Sequence, residues 1–270
     1  MAETPPVNGN GKKVVRVMIC VPNEGHTLPE AYDNRLAWAI HIGGLQLASH
    51  LGIKEYDGIK YDYPDGTEFK FYWGSVGRVL TPLARERLTE FALAANVDRI
   101  LMIDDDMIIP MDLFERLYKH QVDIVGALAF MRVPPHQPVI FKFDEGWDPQ
   151  QRLEYFVCNT IKNYPKNKLV QCDAVGFGAV LLKTDYIKKM QPPYFMSTTR
   201  MGEDILHCQK AAKVGAKVYM DTSLKIGHIG IPKVIWEEDY EREFKTDELR
   251  KTHGDWTGTE AEARELCRAA

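Results

Sequence analysis

The chain has 270 residues, 45% of them apolar and 27% charged, with a formal net charge of −4 from 34 basic and 38 acidic side chains. That length holds one large α/β domain or two small ones, and the charge balance offers no global attraction to nucleic acid or anionic membrane. No run reaches the ~20 apolar residues of a membrane span and no signal-type segment opens the chain, so a cytoplasmic protein is expected. The cysteines Cys20, Cys158, Cys172, Cys208 and Cys267 are odd in number and lack metal-type spacing, which suits reduced thiols.

Residues 1–12 form a polar, turn-rich tail expected to be disordered. The β-branched run Val14 to Val21 predicts a buried first strand, ended by Pro22-Asn23-Glu24-Gly25. Ligands gather at the carboxyl ends of strands in open α/β sheets, so Pro22, Asn23 and Glu24 are candidates for nucleotide contact, with an ordinary turn as the alternative. Glu30 to Leu51 has helical apolar spacing, with an interruption expected at Gly43-Gly44. Alternating aromatics from Tyr56 to Trp73 suggest a hairpin around Pro64-Asp65-Gly66. Leu83 to Ala95 is a second helix with Pro82 suited to its first turn. Arg85 and Arg87 lie there, as solvated surface arginines or as partners of a diphosphate.

The stretch Arg99 to Met107 carries the strongest chemical signal. A short apolar run, Ile100 to Ile103, ends in Asp104-Asp105-Asp106. Side chains alternate along a strand, so Asp104 and Asp106 are expected on one face and Asp105 on the other. Carboxylates held that close call for a cation between them, and oxygen ligands suit Mg²⁺ or Mn²⁺, with ribose binding or a strand-end loop that caps the next helix as the alternatives. A helix over Met111 to His120 and a strand over Val122 to Phe130 follow. The proline-stiffened connection Met131 to Pro138 is either a substrate-facing wall or a linker.

Phe141 to Lys168 reads as irregular strands outside the main sheet, a place for acceptor specificity. Asp173 then leads through Gly176 and Gly178 into the apolar strand ending at Leu182, glycines that admit close approach of a ligand or backbone. After Pro192-Pro193, Tyr194 to Met201 reads as a mobile loop before Gly202-Glu203-Asp204 at the start of a helix, where its positive end favours acids. A strand over Ala216 to Met220 precedes Gly227-His228-Ile229-Gly230, in which His228 is read as a sterically free metal ligand or a surface histidine. Residues 233–270 read as a charged helical extension, packed across a subunit contact of a homo-oligomer or on a neighbouring face.

In this order, Asp104-Asp105-Asp106, Gly202-Glu203-Asp204 and His228 resemble the DxD motif, the ED motif and the C-terminal metal-binding histidine of GT-A fold glycosyltransferases, family 2-like, of phage and bacterial type. Asp123-Ile124-Val125-Gly126, Arg132-Val133-Pro134-Pro135-His136 and Tyr219-Met220-Asp221-Thr222-Ser223 are similar to patterns in such members. The resemblance spans Val14 to Gly230. It implies a single α/β domain over residues 13–232, a Rossmann-like, mixed but mostly parallel sheet flanked by helices. It implies a metal-dependent enzyme moving a sugar from a UDP- or GDP-type nucleotide-diphosphate sugar to a hydroxyl acceptor with inversion. The acceptor is a glycan, small molecule, protein or modified DNA base. Residue by residue, Asp106 and His228 become ligands of Mn²⁺ or Mg²⁺, with Asp104 in the metal shell or on the ribose. Asp204 becomes the base with Glu203 as its neighbour, Asp105 lies on the donor side, and Asp173 and Gly176 line the donor-sugar or acceptor side. The competing readings are a sugar nucleotidyltransferase, for which the loop after the first strand lacks a Gly-rich signature, and a non-catalytic carbohydrate-binding relative.

Overall fold

The structure, a computed structural model, describes residues 7–9, 11–23, 29–146, 148, 158–230 and 234–242. Strand β1 (Lys13–Asn23) is buried along nearly its whole length because its Val- and Ile-rich run sits inside the sheet with both faces covered. Helix α1 (Pro29–Leu51) follows, then a two-stranded ribbon of β2 (Glu55–Tyr56) and β3 (Ile59–Lys60), then β4 (Thr67–Gly77) and α2 (Thr81–Ala94). The ribbon turns at Asp57-Gly58, both with positive φ (49° and 77°), as a two-residue hairpin requires. The hairpin expected around Pro64-Asp65-Gly66 does not form. That turn instead delivers β4 alongside β1 in parallel, from Lys13 opposite Thr67 to Asn23 opposite Gly77. The break expected in α1 is also absent. Gly44 is small because the ring of Tyr61 lies against the helix, and a Cβ there would stand 2.2 Å from the Tyr61 hydroxyl.

Next come β5 (Arg99–Ile103), β6 (Met107–Ile108), α3 (Leu113–Lys119), β7 (Ile124–Leu128), β8 (Ile140–Phe143), β9 (Cys158–Thr160), β10 (Leu169–Cys172), β11 (Ala174–Val175) and β12 (Ala179–Lys183). The chain closes with α4 (Thr184–Ile187), α5 (Glu203–Lys213), β13 (Val218–Lys225), β14 (Gly227–Ile229) and β15 (Val234–Ile235). The main sheet has seven strands in the order β10-β13-β7-β12-β5-β1-β4. Five run parallel, while β12 and β10 run against their neighbours. The result is one mixed, mostly parallel sheet flanked by helices, a single α/β domain. Alternate residues of β5 feed opposite cores. Ile100 and Met102 meet Leu88 of α2 and Leu206 of α5, whereas Leu101 and Ile103 meet Trp38 of α1 and Phe114 of α3.

Two small sheets sit at the carboxyl end of the parallel strands. One, β11-β8-β9, holds the segment expected outside the main sheet, and the other is β15-β14-β6. The second ties the aspartate turn to the end of the chain, because β14 pairs Gly227 with Ile108 and His228 with both Met107 and Ile235. Residues 237–242 begin a helix, and Tyr240 stacks on Phe130 at 5.4 Å. In the tail, Val7 bridges Lys13. Glu24, Trp147, Cys267 and the extension beyond residue 242 lie outside the described residues.

Candidate active site

Strand β5 ends at Ile103, so the three aspartates occupy a turn between β5 and β6, and strand alternation does not set their directions. Asp104 opens the turn with its N–H donated to the carbonyl of Gly178, just before β12, at 2.9 Å. Its carboxylate then turns toward α2, where Arg85 Nη2 donates to Oδ1 at 2.6 Å. Arg85 is 2% exposed, so the reading as a solvated surface arginine is overturned, while Arg87, two positions on, is exposed. The other side of the guanidinium pairs with Glu203 at the start of α5, and its plane lies 5.5 Å from the Phe177 ring. Burial alone would lower the arginine's pKa; Asp104, Glu203 and Asp204 together hold it above the ordinary value. Burial pushes the Asp104 carboxyl up, against the pull of Arg85.

Asp106 points away from this cluster. Its Oδ2 lies 3.2 Å from His228 Nε2 and 3.2 Å from Arg132 Nη1. Burial works against its negative charge, but His228 and Arg132 outweigh that and hold its pKa below the ordinary value. His228 is not free in a glycine turn as expected. It is the middle residue of β14, and Gly227 is small because Val234 and Trp236 fill the space a Cβ would need. The ring is oriented by Nδ1–H donating to the Phe130 carbonyl at 2.7 Å. That bond leaves the Nε2 lone pair facing a carboxylate oxygen, an arrangement that holds only with a proton or a cation between the two atoms.

The donor set fits a hard or borderline divalent ion, one oxygen and one imidazole nitrogen with the second ring nitrogen anchored. Among the described residues no three His, Cys, Asp or Glu side chains converge on one point. The expected set of Asp104, Asp106 and His228 is therefore met only as the pair Asp106–His228, because Arg85 draws Asp104 to the other side.

Asp204 lies beside the Arg85 cluster. Its Oδ1 accepts the Ile205 N–H at 2.8 Å. Burial and then the neighbouring Glu203 charge raise its pKa to about 6, against the pull of Arg85. The two acids have different partners: Glu203 pairs with Arg85, and Asp204 is left able to exchange a proton near neutral pH. The β11-β8-β9 sheet borders them, since the Cys158 thiol is pushed to about 12 by burial and then by Asp204 and Asp173.

The remaining candidates have structural partners. Asp173 accepts the Phe143 N–H at 2.8 Å and lies 3.6 Å from Lys142 Nζ, fixing β8. Gly176 admits the side chain of Val139, which would stand 2.8 Å from a Cβ, so its small size serves backbone approach within the protein. Pro22 and Asn23 extend β1 rather than ending it, and the Asn23 carbonyl accepts the Arg78 N–H at 3.2 Å. Asp105 is 9% exposed and contributes to the field on Arg35. In the proline-rich connection, Arg132 reaches Asp106, whereas His136 is buried with Nδ1–H donating to the Met131 carbonyl.

Sequence reasoning missed the residues that fix the aspartate turn from α1. Asn34 clamps the backbone of Ile109, accepting its N–H and donating to its carbonyl, both at 2.9 Å. Arg35 donates to the Asp104 carbonyl at 3.0 Å. The Nε atoms of Arg35 and Arg85 are buried without a hydrogen-bond partner among the described residues. Two such donors beside the aspartate turn suit an anionic ligand. His207 was missed too: its Nδ1–H donates to the Tyr194 carbonyl at 3.0 Å and its ring stacks on Phe195 at 4.3 Å. This anchors the start of the loop expected to be mobile.

No family model matches the chain, and no curated protein sequence matches it. Among solved structures, A197 from STIV aligns over 82% of this chain and 94% of its own length, at 15% identity and a TM-score of 0.46. The catalytic domain of Drosophila β1,4-galactosyltransferase 7, in complex with xylobiose, aligns over 80% of this chain and 71% of its own, at 15% identity and a TM-score of 0.39. GalNAc-T7 with UDP, GalNAc and Mn²⁺ aligns over 79% of this chain at 11% identity and a TM-score of 0.42, and this chain spans 43% of that one. Likenesses at these TM-scores and identities carry no argument about chemistry.

Proposed function

We propose that the protein is a metal-dependent glycosyltransferase of GT-A type, moving a sugar from a nucleotide-diphosphate donor to a hydroxyl acceptor with inversion. The observation that carries this reading is the meeting of Asp106 and His228, 122 positions apart in sequence, at 3.2 Å, near the buried Arg85 and its partners Asp104 and Glu203. The pair follows two different parallel strands, β5 and β13, at the carboxyl ends of the strands where α/β proteins take their ligands. Asp106 and His228 would hold Mn²⁺ or Mg²⁺, which supplies positive charge to a departing diphosphate. Asp104 is assigned to the donor side, held there by Arg85.

Asp204 is the base. It accepts the acceptor's hydroxyl proton as the new oxygen–carbon bond forms and the bond from the sugar carbon to the diphosphate oxygen breaks. Glu203 cannot serve without abandoning Arg85, which separates the roles of the two acids. The β11-β8-β9 sheet and the loop 194–201 flank Asp204 and are assigned to the acceptor. The test is incubation with UDP-, GDP- and TDP-sugars with and without Mn²⁺, following release of nucleotide diphosphate. Metal-dependent release supports a transferase. Pyrophosphate exchange with a sugar phosphate identifies a nucleotidyltransferase, and binding without turnover a non-catalytic relative.

A further inference from the structure

Helix α1 is apolar on two opposite faces. One is spent on the core through Trp38, Ile42 and Leu45. On the other, Tyr32 (59% exposed), Leu36 (52%), Ile40 (71%), Leu47 (57%) and Leu51 (58%) line up with Gly43. At 3.6 residues per turn these six positions fall within one arc of about 100°, the stripe that a helix normally turns to a core. Beside the stripe, on the edge strand β4, Tyr72 is 41% exposed, whereas Trp73 points to the opposite face of the strand and packs edge-on against Trp38 at 5.9 Å. Between helix and strand lies a groove of about 420 Å³ whose walls include Gly43, Leu47, Phe71 and Tyr72. Half exposed, the five stripe side chains and Tyr72 present on the order of 500 Å² of apolar surface, in the upper range of what a monomer carries and more than half of the ~800 Å² per partner of a stable interface.

The stripe reads the same in both directions. About the Gly43–Gly44 bond, Leu36 stands opposite Leu51 and Ile40 opposite Leu47. A two-fold axis needs one patch that complements itself, with residue i meeting j and j meeting i. An antiparallel pair of α1 helices crossing at Gly43 meets that condition. Nothing among the described residues lies within 4 Å of a Cβ placed on Gly43, so a second backbone has room to approach there. The crossing joins leucine to leucine and isoleucine to leucine and sets the helix dipoles in opposition. Strand pairing through β4 is the poorer alternative, because Ser49 and Gln46 already accept the Phe69 and Phe71 N–H groups on its open edge.

We infer that α1 is the two-fold interface of a homodimer, with a second copy of this chain as the occupant of its outer stripe. The experiment is sedimentation of the full chain over about 1–100 μM, the range in which moderate self-association is read, alongside I40E/L47E and G43C. A species of twice the 30.9 kDa chain mass is expected. I40E/L47E should weaken it at least tenfold with an unchanged circular-dichroism spectrum. G43C should cross-link to itself with a short bis-maleimide beyond the wild-type background, and L83C on the exposed start of α2 should not. A monomer throughout the range, a dimer indifferent to I40E/L47E, or a monomer that instead binds lipid vesicles through this stripe overturns the inference.

Discussion

At the scale of single residues, the balance between Glu203 and Asp204 governs the chemistry. A carboxyl with its pKa raised to about 6 is protonated in the folded state where the unfolded chain is already ionised. It therefore costs stability as pH rises from the ordinary carboxylate range to about 6, and the full cost persists above that. Asp204→Asn should stabilise the protein by about 1–3 kcal/mol at pH 7, a gain that vanishes below about pH 4, read by denaturant unfolding at both pH values. The same substitution should abolish transfer and leave donor binding intact. In the unsubstituted protein kcat/KM should rise with pH through about 6 and then level, as a base must be deprotonated to act. A rate falling through that range would reassign Asp204 as an acid. The aspartate triplet and Gly-Glu-Asp were legible in sequence because like charges at an element's end demand an explanation. The partner of Asp104 was not, since nothing local distinguishes buried Arg85 from exposed Arg87 two positions away; only the tertiary meeting with Phe177, Asp104 and Glu203 does.

At the scale of elements, most helices and strands follow from periodicity, and the two misreadings share one cause. Gly43-Gly44 looks like a helix break and Pro64-Asp65-Gly66 like a hairpin when only neighbours in sequence are weighed. Packing of Tyr61 onto Gly44 rewards a small residue inside a continuous helix, and β1 offers β4 eleven paired positions that a hairpin would forgo. Gly44→Ala should therefore destabilise the fold by about 1–3 kcal/mol despite alanine's better helix propensity, because Tyr61 is 6% exposed and its ring has no room to yield. Adding Tyr61→Phe removes the hydroxyl nearest the new methyl and should recover part of the loss, a coupling read from the double-mutant cycle. An unchanged midpoint for Gly44→Ala would show that the helix accommodates the methyl. Helix α1 also carries Asn34 and Arg35, so its integrity bears on the aspartate turn as well as on the core.

Across the whole molecule, the end of the described chain is tied back to the sheet. Glu237 is buried among Lys166, Lys225 and the Tyr164 hydroxyl, and β15 beside it pairs with β14, which holds His228. Burial would raise the Glu237 pKa, but these partners outweigh it and hold it below the ordinary value. Its contribution to stability is present above the unfolded-state value near 4.5 and is lost as pH falls through the lower folded value. Glu237→Gln should cost about 1–3 kcal/mol at pH 7, with the gap to wild type closing in acid, measured by unfolding at each pH. The sequence reads Trp236 onward as a charged helix packed across a subunit contact or on a neighbouring face, but Lys166, Lys225 and Tyr164 as the partners of Glu237 were illegible there. The central claim remains that two strands bring Asp106 and His228 to one divalent cation. Calorimetric titration of wild type, Asp106→Asn and His228→Ala with Mn²⁺ in the presence of UDP tests it most directly. Saturable binding in wild type that weakens at least about tenfold in both variants is the predicted result. Mn²⁺ binding of equal strength in all three proteins, or in none, would contradict it.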